Sequence, residues 1–313
     1  MQGFLSNWNA AMPAGTWTIA ALAALPPWFL LGAAALLGLV VGSFLNVVVH
    51  RLPRMMERDE ANYLAALRHE PAPYPERYDL VVPRSSCPHC GHAIAPWENI
   101  PVLGYLVLRG RCSACRKPIG LRYPAVELAS AALCALAAWH FGPTWQALAA
   151  MVLIWSLLSL ALIDADTQLL PDQITQPLLW LGLLLNLMGV FAPIADAVIG
   201  AAAGYLLLWT TYWLFKLLRG KEGMGYGDFK LMAALGAWFG WQALPALVLV
   251  SSVVGLVYGL AKIALRRHDR DTPFPFGPFI AGAGLLVLFA GADWVLPALA
   301  PGAAIEAGAM VNH

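Results

Sequence analysis

Positive charge is confined to three short segments of this chain, and nearly everything between them is apolar. All 19 Lys and Arg residues fall within 51–122, 216–230 and 262–270. Seven apolar stretches lie near 28–49, 125–141, 145–163, 174–192, 197–217, 243–265 and 276–298. Each has roughly the 17–25 residues that cross a bilayer as a helix. An eighth, shorter stretch covers about 229–242. Only 12% of the 313 residues are charged, against about 25% in soluble domains. The chain therefore reads as an all-α polytopic membrane protein with about eight transmembrane helices. A formal net charge of +1 gives no case for a nucleic-acid partner. The first 27 residues hold no Lys or Arg, so no cleavable signal peptide is expected.

The basic segments fix the orientation. Loops rich in Lys and Arg stay on the cytoplasmic side, and the remaining connections, near 142–144, 192–196 and 241–242, have none. Eight spans satisfy this alternation, with both termini outside and residues 50–124 inside. A seven-span chain, with 229–242 re-entrant, would put 262–270 on the wrong side.

Residues 50–124 form the one sizeable polar segment and contain four of the five cysteines. A segment of this size needs a staple to fold. Cys87, Cys90, Cys112 and Cys115 are spaced C-x2-C-x21-C-x2-C, which suits four thiolates on one tetrahedral zinc ion. Disulfides are disfavoured in a reducing cytoplasm, and redox use of one C-x-x-C pair is the competing reading. His89 and His92 flank the first pair. Cys134 lies within a span and reads as a packing residue. The predicted division is 1–49 for the N-terminal segment and first span, 50–124 for the zinc-stapled cytoplasmic domain, and 125–313 for a seven-helix body.

Few carboxylates lie near the spans, where charge is costly and points to function. Asp196, Asp293 and Glu306 fall at outer ends and read as solvated caps. Glu127 opens the second span and is a candidate partner for a basic residue of the polar segment. Asp164 and Asp166 lie in "IDADTQLLPD" (163–172), and Asp228 lies in "GMGYGDFK" (223–230). The topology puts both motifs at the cytoplasmic ends of their helices. Two carboxyls held together at low dielectric cannot both ionise and so share a proton. One can then act as general base on water while the other protonates a carbonyl oxygen. The glycines permit close approach of a substrate backbone. Arg51, Arg54 and Lys230 border the inner interface as positive-inside anchors, and Lys230 is also a candidate to tune Asp228 or contact substrate.

Four features in chain order, "GSFLNVVVHRLP" (42–53), the paired C-x2-C motifs, "IDADTQLLPD" and "GMGYGDFK", together with "FPFGPFIAGAG" near the last span, give the chain a family resemblance. It resembles the type IV prepilin peptidases, also called leader peptidase/N-methyltransferases, which are G-x-G-D intramembrane aspartic proteases. The resemblance implies Asp164 and Asp228 as the catalytic pair, with Asp166 the local rival. Gly225, Gly227 and Lys230, beside Asp228 in the chain, are the candidates to contact substrate. The resemblance also implies cleavage of prepilins and type II secretion pseudopilins after a glycine, on the cytoplasmic side of the bacterial inner membrane. The second activity it implies is methylation of the new amino group from S-adenosylmethionine. The 50–124 domain would take part, with Gly110 at a methylation-linked position. No glycine-rich donor loop is visible. The rival reading from another class is a proton-coupled transporter with Asp164 and Asp228 as relays. Such sites favour the midplane and repeated halves, and no repeat is visible.

Overall fold

The hydropathy pattern becomes a set of helices of unequal length. A computed structural model describes residues 18–220, 224–265 and 275–292. Gly223, Asp293, Glu306 and the placement of both termini lie outside the described residues. The main helices are α1 (Pro27–Leu67), α2 (Arg122–Phe141), α3 (Trp145–Thr167), α4 (Asp172–Asn186), α5 (Ile194–Arg219), α6 (Tyr226–Phe239), α7 (Leu244–Ala264) and α8 (Gly277–Ala290). Among the described residues there is no strand, only isolated bridges. Five stretches, α1, α2, α3, α5 and Trp241–Ala264, are long and apolar enough to cross a membrane. The expected multi-pass helical protein is what the sequence folds into.

The remaining three helices are short. α4, α6 and α8 have 15, 14 and 14 residues, or about 21–23 Å at 1.5 Å per residue. The expected span 174–192 ends early because Asn186 turns the chain. Its Oδ1 accepts the amides of Phe191 and Ala192, and its Nδ2 donates to the carbonyls of Ala237 and Trp238. α1 differs in the other direction. It continues through Pro53 to Leu67, 41 residues in all, because the segment after the span is rich in helix formers such as Met, Glu, Arg and Ala.

The described residues form two compact units that divide between Ser159 and Leu160 within α3. In the first unit α1 packs on α2 along a glycine seam. A Cβ on Gly38 would come within 2.7 Å of the Ala131 backbone, and one on Gly42 within 2.9 Å of Glu127. Ser130 lies in this seam and donates to the Gly38 carbonyl at 2.7 Å. Without a hydrophobic force between helices in lipid, such close contact is what joins them. The polar segment belongs to this unit.

The second unit is built around α6. Asp228, Phe229 and Leu231–Trp238 are all buried, as expected for a helix apolar on every side. α4, α5 and α8 pack on it. Gly236 and Gly200 bring α6 and α5 into backbone contact, and Gly204 meets the Met232 carbonyl. Trp238 closes the α4 side, donating to the Leu178 carbonyl at 2.8 Å.

Gly236→Ala should force α5 and α6 apart. Its Cβ would overlap the Gly200 carbonyl, which is backbone and cannot move aside. Thermal denaturation in detergent should show a loss of about 1–3 kcal/mol, the range for overpacking. Gly282→Ala, where nothing lies within 4 Å, should leave stability unchanged or raised; equal melting temperatures for the two variants would refute the seam.

Candidate functional site

The end of α3 and the start of α6 bring two buried carboxyls into one site. Asp164 follows the apolar run of α3 and is 5% exposed; Asp228 is 6% exposed. Helix starts leave backbone amides unpaired, and those amides attract anions. Each carboxyl uses one. Gly277 opens α8 and donates its N–H to Asp164 Oδ2 at 2.8 Å. A Cβ on Gly277 would meet that same oxygen at 2.8 Å, so a larger residue would push the carboxyl away. Gly225 caps α6 and donates its N–H to the Asp228 carboxyl three residues on. This is the returning half of a capping box. Asp228 Oδ1 is buried and has no hydrogen-bond partner among the described residues. The two carboxyls are close enough for the charge of Asp164 to act on Asp228.

Leu170 fills the space above the pair. It lies in the loop after α3, which turns at Gln168 with φ of +56°. A Cβ on Gly227 would meet the Leu170 Cβ at 2.7 Å, and one on Gly277 would meet its Cδ2 at 3.1 Å. Asp172 then anchors the loop to α6, with both its carboxylate oxygens 2.7 Å from Lys230 Nζ. Lys230 is thus engaged with Asp172. Asp166 is exposed, unlike Asp164. The sequence reading missed Gly277, Leu170 and the Asp172 contact. The signal for Gly277 was present in "FGP", a glycine and a proline opening an apolar helix.

The four cysteines of the first unit also meet. Their Sγ atoms all lie within 4.8 Å of one another. Cys87–Cys115 and Cys90–Cys112 are each 3.9 Å apart, and none is in a disulfide. A tetrahedral ion with metal–sulfur bonds near 2.3 Å sets sulfurs about 3.8 Å apart, so the cluster fits a structural metal. Two matching knuckles build it. Cys87 N–H donates to the His92 carbonyl and Cys112 N–H to the Lys117 carbonyl, both at 2.9 Å. The residue four beyond each first cysteine, Gly91 or Arg116, has φ of +72° or +60°. The His89 and Cys90 amides point at Cys87 and lower its thiol to about 7. The Cys115 and Ala114 amides likewise lower Cys112. Amides aimed at sulfur favour the thiolate a metal needs.

His92 stands beside the cluster, with Nε2 3.2 Å from Ser113 Oγ and 3.5 Å from Glu98 Oε2. Glu98 is held below the usual carboxylate range, first by Ser113 and then by the Ala95 amide. Gly110 precedes the second knuckle with φ of +66°. A Cβ there would come 2.6 Å from the Tyr105 hydroxyl, so both its backbone and its lack of a side chain are required. Glu127 pairs with no basic residue among the described residues. Its Oε2 accepts the Val102 amide at 2.7 Å.

Residues 36–141 match the bacterial peptidase A24 N-terminal domain. Residues 151–260 match the type IV leader peptidase family. A prepilin leader peptidase/N-methyltransferase of Pseudomonas aeruginosa is 59% identical over 257 residues, covering 82% of this chain and 89% of that protein. One from Burkholderia pseudomallei is 56% identical, covering 89% and 91%, and one from Pseudomonas putida is 53% identical, covering 88% and 94%. No solved structure matches the chain. With most of its length shared at this identity, and with its two carboxyls buried together inside the matched peptidase region, the chain belongs to the type IV leader peptidase family.

Proposed function

We propose that this chain cleaves the leader peptides of type IV prepilins and methylates the amino group that cleavage exposes. The observation that carries the reading is the buried pair Asp164 and Asp228, each held by one helix-start amide, in a chain of this family. One carboxylate takes a proton from water as the water oxygen bonds to the scissile carbonyl carbon. The other carboxyl gives its proton to the carbonyl oxygen. On collapse the C–N bond breaks and the leaving nitrogen takes up a proton, so that neither step needs a nucleophilic side chain.

Gly225 and Gly227 leave room for an extended substrate backbone beside Asp228. That backbone displaces Leu170 from between Gly227 and Gly277. Lys230 acts at the edge of the substrate path through its hold on Asp172. Type II secretion pseudopilins are substrates on the same chemistry, since a basic leader followed by an apolar helix is what a site at the inner interface accepts. Nothing favours the transporter reading, and the relatives carry peptidase names.

Within this reading, residues 125–313 perform cleavage and residues 50–124 serve methylation, with S-adenosylmethionine as donor and Gly110 supporting the site through Tyr105. The metal is zinc. Four thiolates and no carboxylate suit it, and it is redox-inert. The protein lies in the bacterial inner membrane, in contact with lipid, with 50–124 cytoplasmic and both termini periplasmic.

Asp164→Asn and Asp228→Asn should each lower leader cleavage by at least about 10³-fold, the scale for members of a catalytic unit. Asp166→Asn should cleave normally. Gel assays with a co-expressed prepilin test this, and normal cleavage by either of the first two variants rules out the pair. Asp172→Lys or Lys230→Asp alone should lower kcat/KM about two- to fivefold, the scale of a partly exposed ion pair. The charge-swapped double variant should recover; failure to recover would mean that Lys230 acts on something other than Asp172. Elemental analysis should find one zinc per chain, and Cys87→Ser with Cys112→Ser should lose it. A metal-free, folded, active wild-type preparation would exclude zinc.

A further inference from the structure

Glu127 is buried as deeply as the two aspartates, at 7% exposure, and leader cleavage gives it no task. Its one recorded partner is the Val102 amide. No cation among the described residues pairs with it. The buried cation nearby in the fold, Arg51, is already engaged. Arg51 donates to the carbonyls of Asp79 at 2.9 Å and Pro83 at 2.6 Å and stacks on Tyr78. Buried charges are normally matched by an opposite charge. A carboxylate kept buried with one amide is suited to receive a cation from outside.

Glu127 lines a cavity of about 610 Å³ in the first unit. That is within the roughly 300–1,000 Å³ of small-molecule sites. One face of α1 forms a wall, with Ser43, Asn46, Val47, His50 and Arg54 at helical spacing. The opposite wall is the loop around Tyr78 and Arg84 and the metal-binding knuckles. The loop is stiff. The Asp79 carboxylate accepts the amides of Val82 at 2.6 Å and Val81 at 2.7 Å. With Arg77 these bring it down to about 2. Tyr105, pressed against Gly110, and Tyr123 add aromatic surface.

We infer that this cavity holds the methyl donor, S-adenosylmethionine, with Glu127 facing its positive sulfonium. The inference rests on the methylation reading above. The chemistry of the walls matches the ligand part by part. A carboxylate and tyrosine rings suit a sulfonium cation, aromatic faces suit a purine, and the exposed Arg54 and Arg84 suit an amino-acid carboxylate. A basic leader peptide is a poor occupant, because Arg54, Arg84 and Lys117 line the same space. In the transfer, the cleaved chain's neutral amine forms a bond to the methyl carbon as the carbon–sulfur bond breaks. The electron pair stays on sulfur, leaving a neutral thioether, and the new ammonium releases one proton.

Binding to the purified full-length chain in detergent tests this, by equilibrium dialysis against S-adenosylmethionine and against S-adenosylhomocysteine, which lacks the sulfonium charge. Glu127→Gln should weaken S-adenosylmethionine about tenfold, the scale of one charge-assisted contact, and S-adenosylhomocysteine much less. Equal weakening of both ligands, or of neither, in a variant with the wild-type melting temperature overturns the role of Glu127. Val47→Trp, which fills the cavity, should weaken both ligands by more than about tenfold. If it does not fold, Arg54→Ala with Arg84→Ala should weaken both, since both ligands carry the carboxylate. Wild-type affinity in a folded cavity variant overturns the site. A wild-type chain that binds neither ligand, and leaves a prepilin N-terminus unmethylated by mass spectrometry, sinks the methylation reading itself. A wild-type chain that methylates while folded cavity variants bind normally sinks only the placement.

Discussion

Burying two carboxyls in an apolar bundle is the constraint from which the second unit follows. Hydrocarbon supplies no hydrogen bonds, so each carboxyl must find a donor inside the protein. The structure takes those donors from helix starts: Gly277 for Asp164 and Gly225 for Asp228. A helix start can serve only if it sits at the depth of the carboxyl. α6 and α8, at 14 residues each, are accordingly shorter than a full span. A helix start that faced lipid would leave its amides unpaired. α6 avoids this because α4, α5 and α8 pack around it, through contacts that glycines 200, 204 and 236 make close. The seams, the short helices and the carboxyl pair are one solution to one electrostatic problem.

What could be read from the sequence was what depends on nearby residues or on composition. Bilayer-length apolar runs, segregated Lys and Arg and the C-x2-C spacing each report a local physical requirement. They gave the multi-pass helical fold and the cysteine cluster. The family pattern and the apolar run that ends at Ile163 favour Asp164 over Asp166, and in the structure Asp164 is buried and Asp166 exposed. Contacts distant in the chain were not legible. Gly277 binds Asp164 across 113 positions, and nothing near either residue encodes the other. The same holds for Leu170, whose position over the site is defined by two glycines on other helices. Lys230 illustrates a subtler limit. Its place two residues after Asp228 suggested action on that carboxyl. One helical residue advances about 100°, so Lys230 points to another side and meets Asp172 instead.

The polar segment solves a different problem with little hydrophobic core. Two knuckles of matching geometry bring four sulfurs together, and a loop pinned by Asp79 and Arg51 packs on the middle of α1. Such scaffolding is rigid without being densely apolar, which leaves space for polar walls. A cavity lined by arginines, tyrosines and glutamates would collapse in a small domain held only by burial. The four-cysteine cluster and the loop contacts let it stay open.

Both units thus use the same device, a buried carboxyl accepting one backbone amide, at Asp164, Asp228 and Glu127. They differ in how the remaining charge is balanced. Where two carboxyls lie within reach of each other, a shared proton can relieve the repulsion, and the proposed cleavage uses that state. Glu127 faces a cavity instead, and there the proposed sulfonium supplies the balancing charge. What lies beyond the carboxyl, a second buried aspartate or an open cavity, therefore separates the proposed proton transfer from the proposed cation recognition.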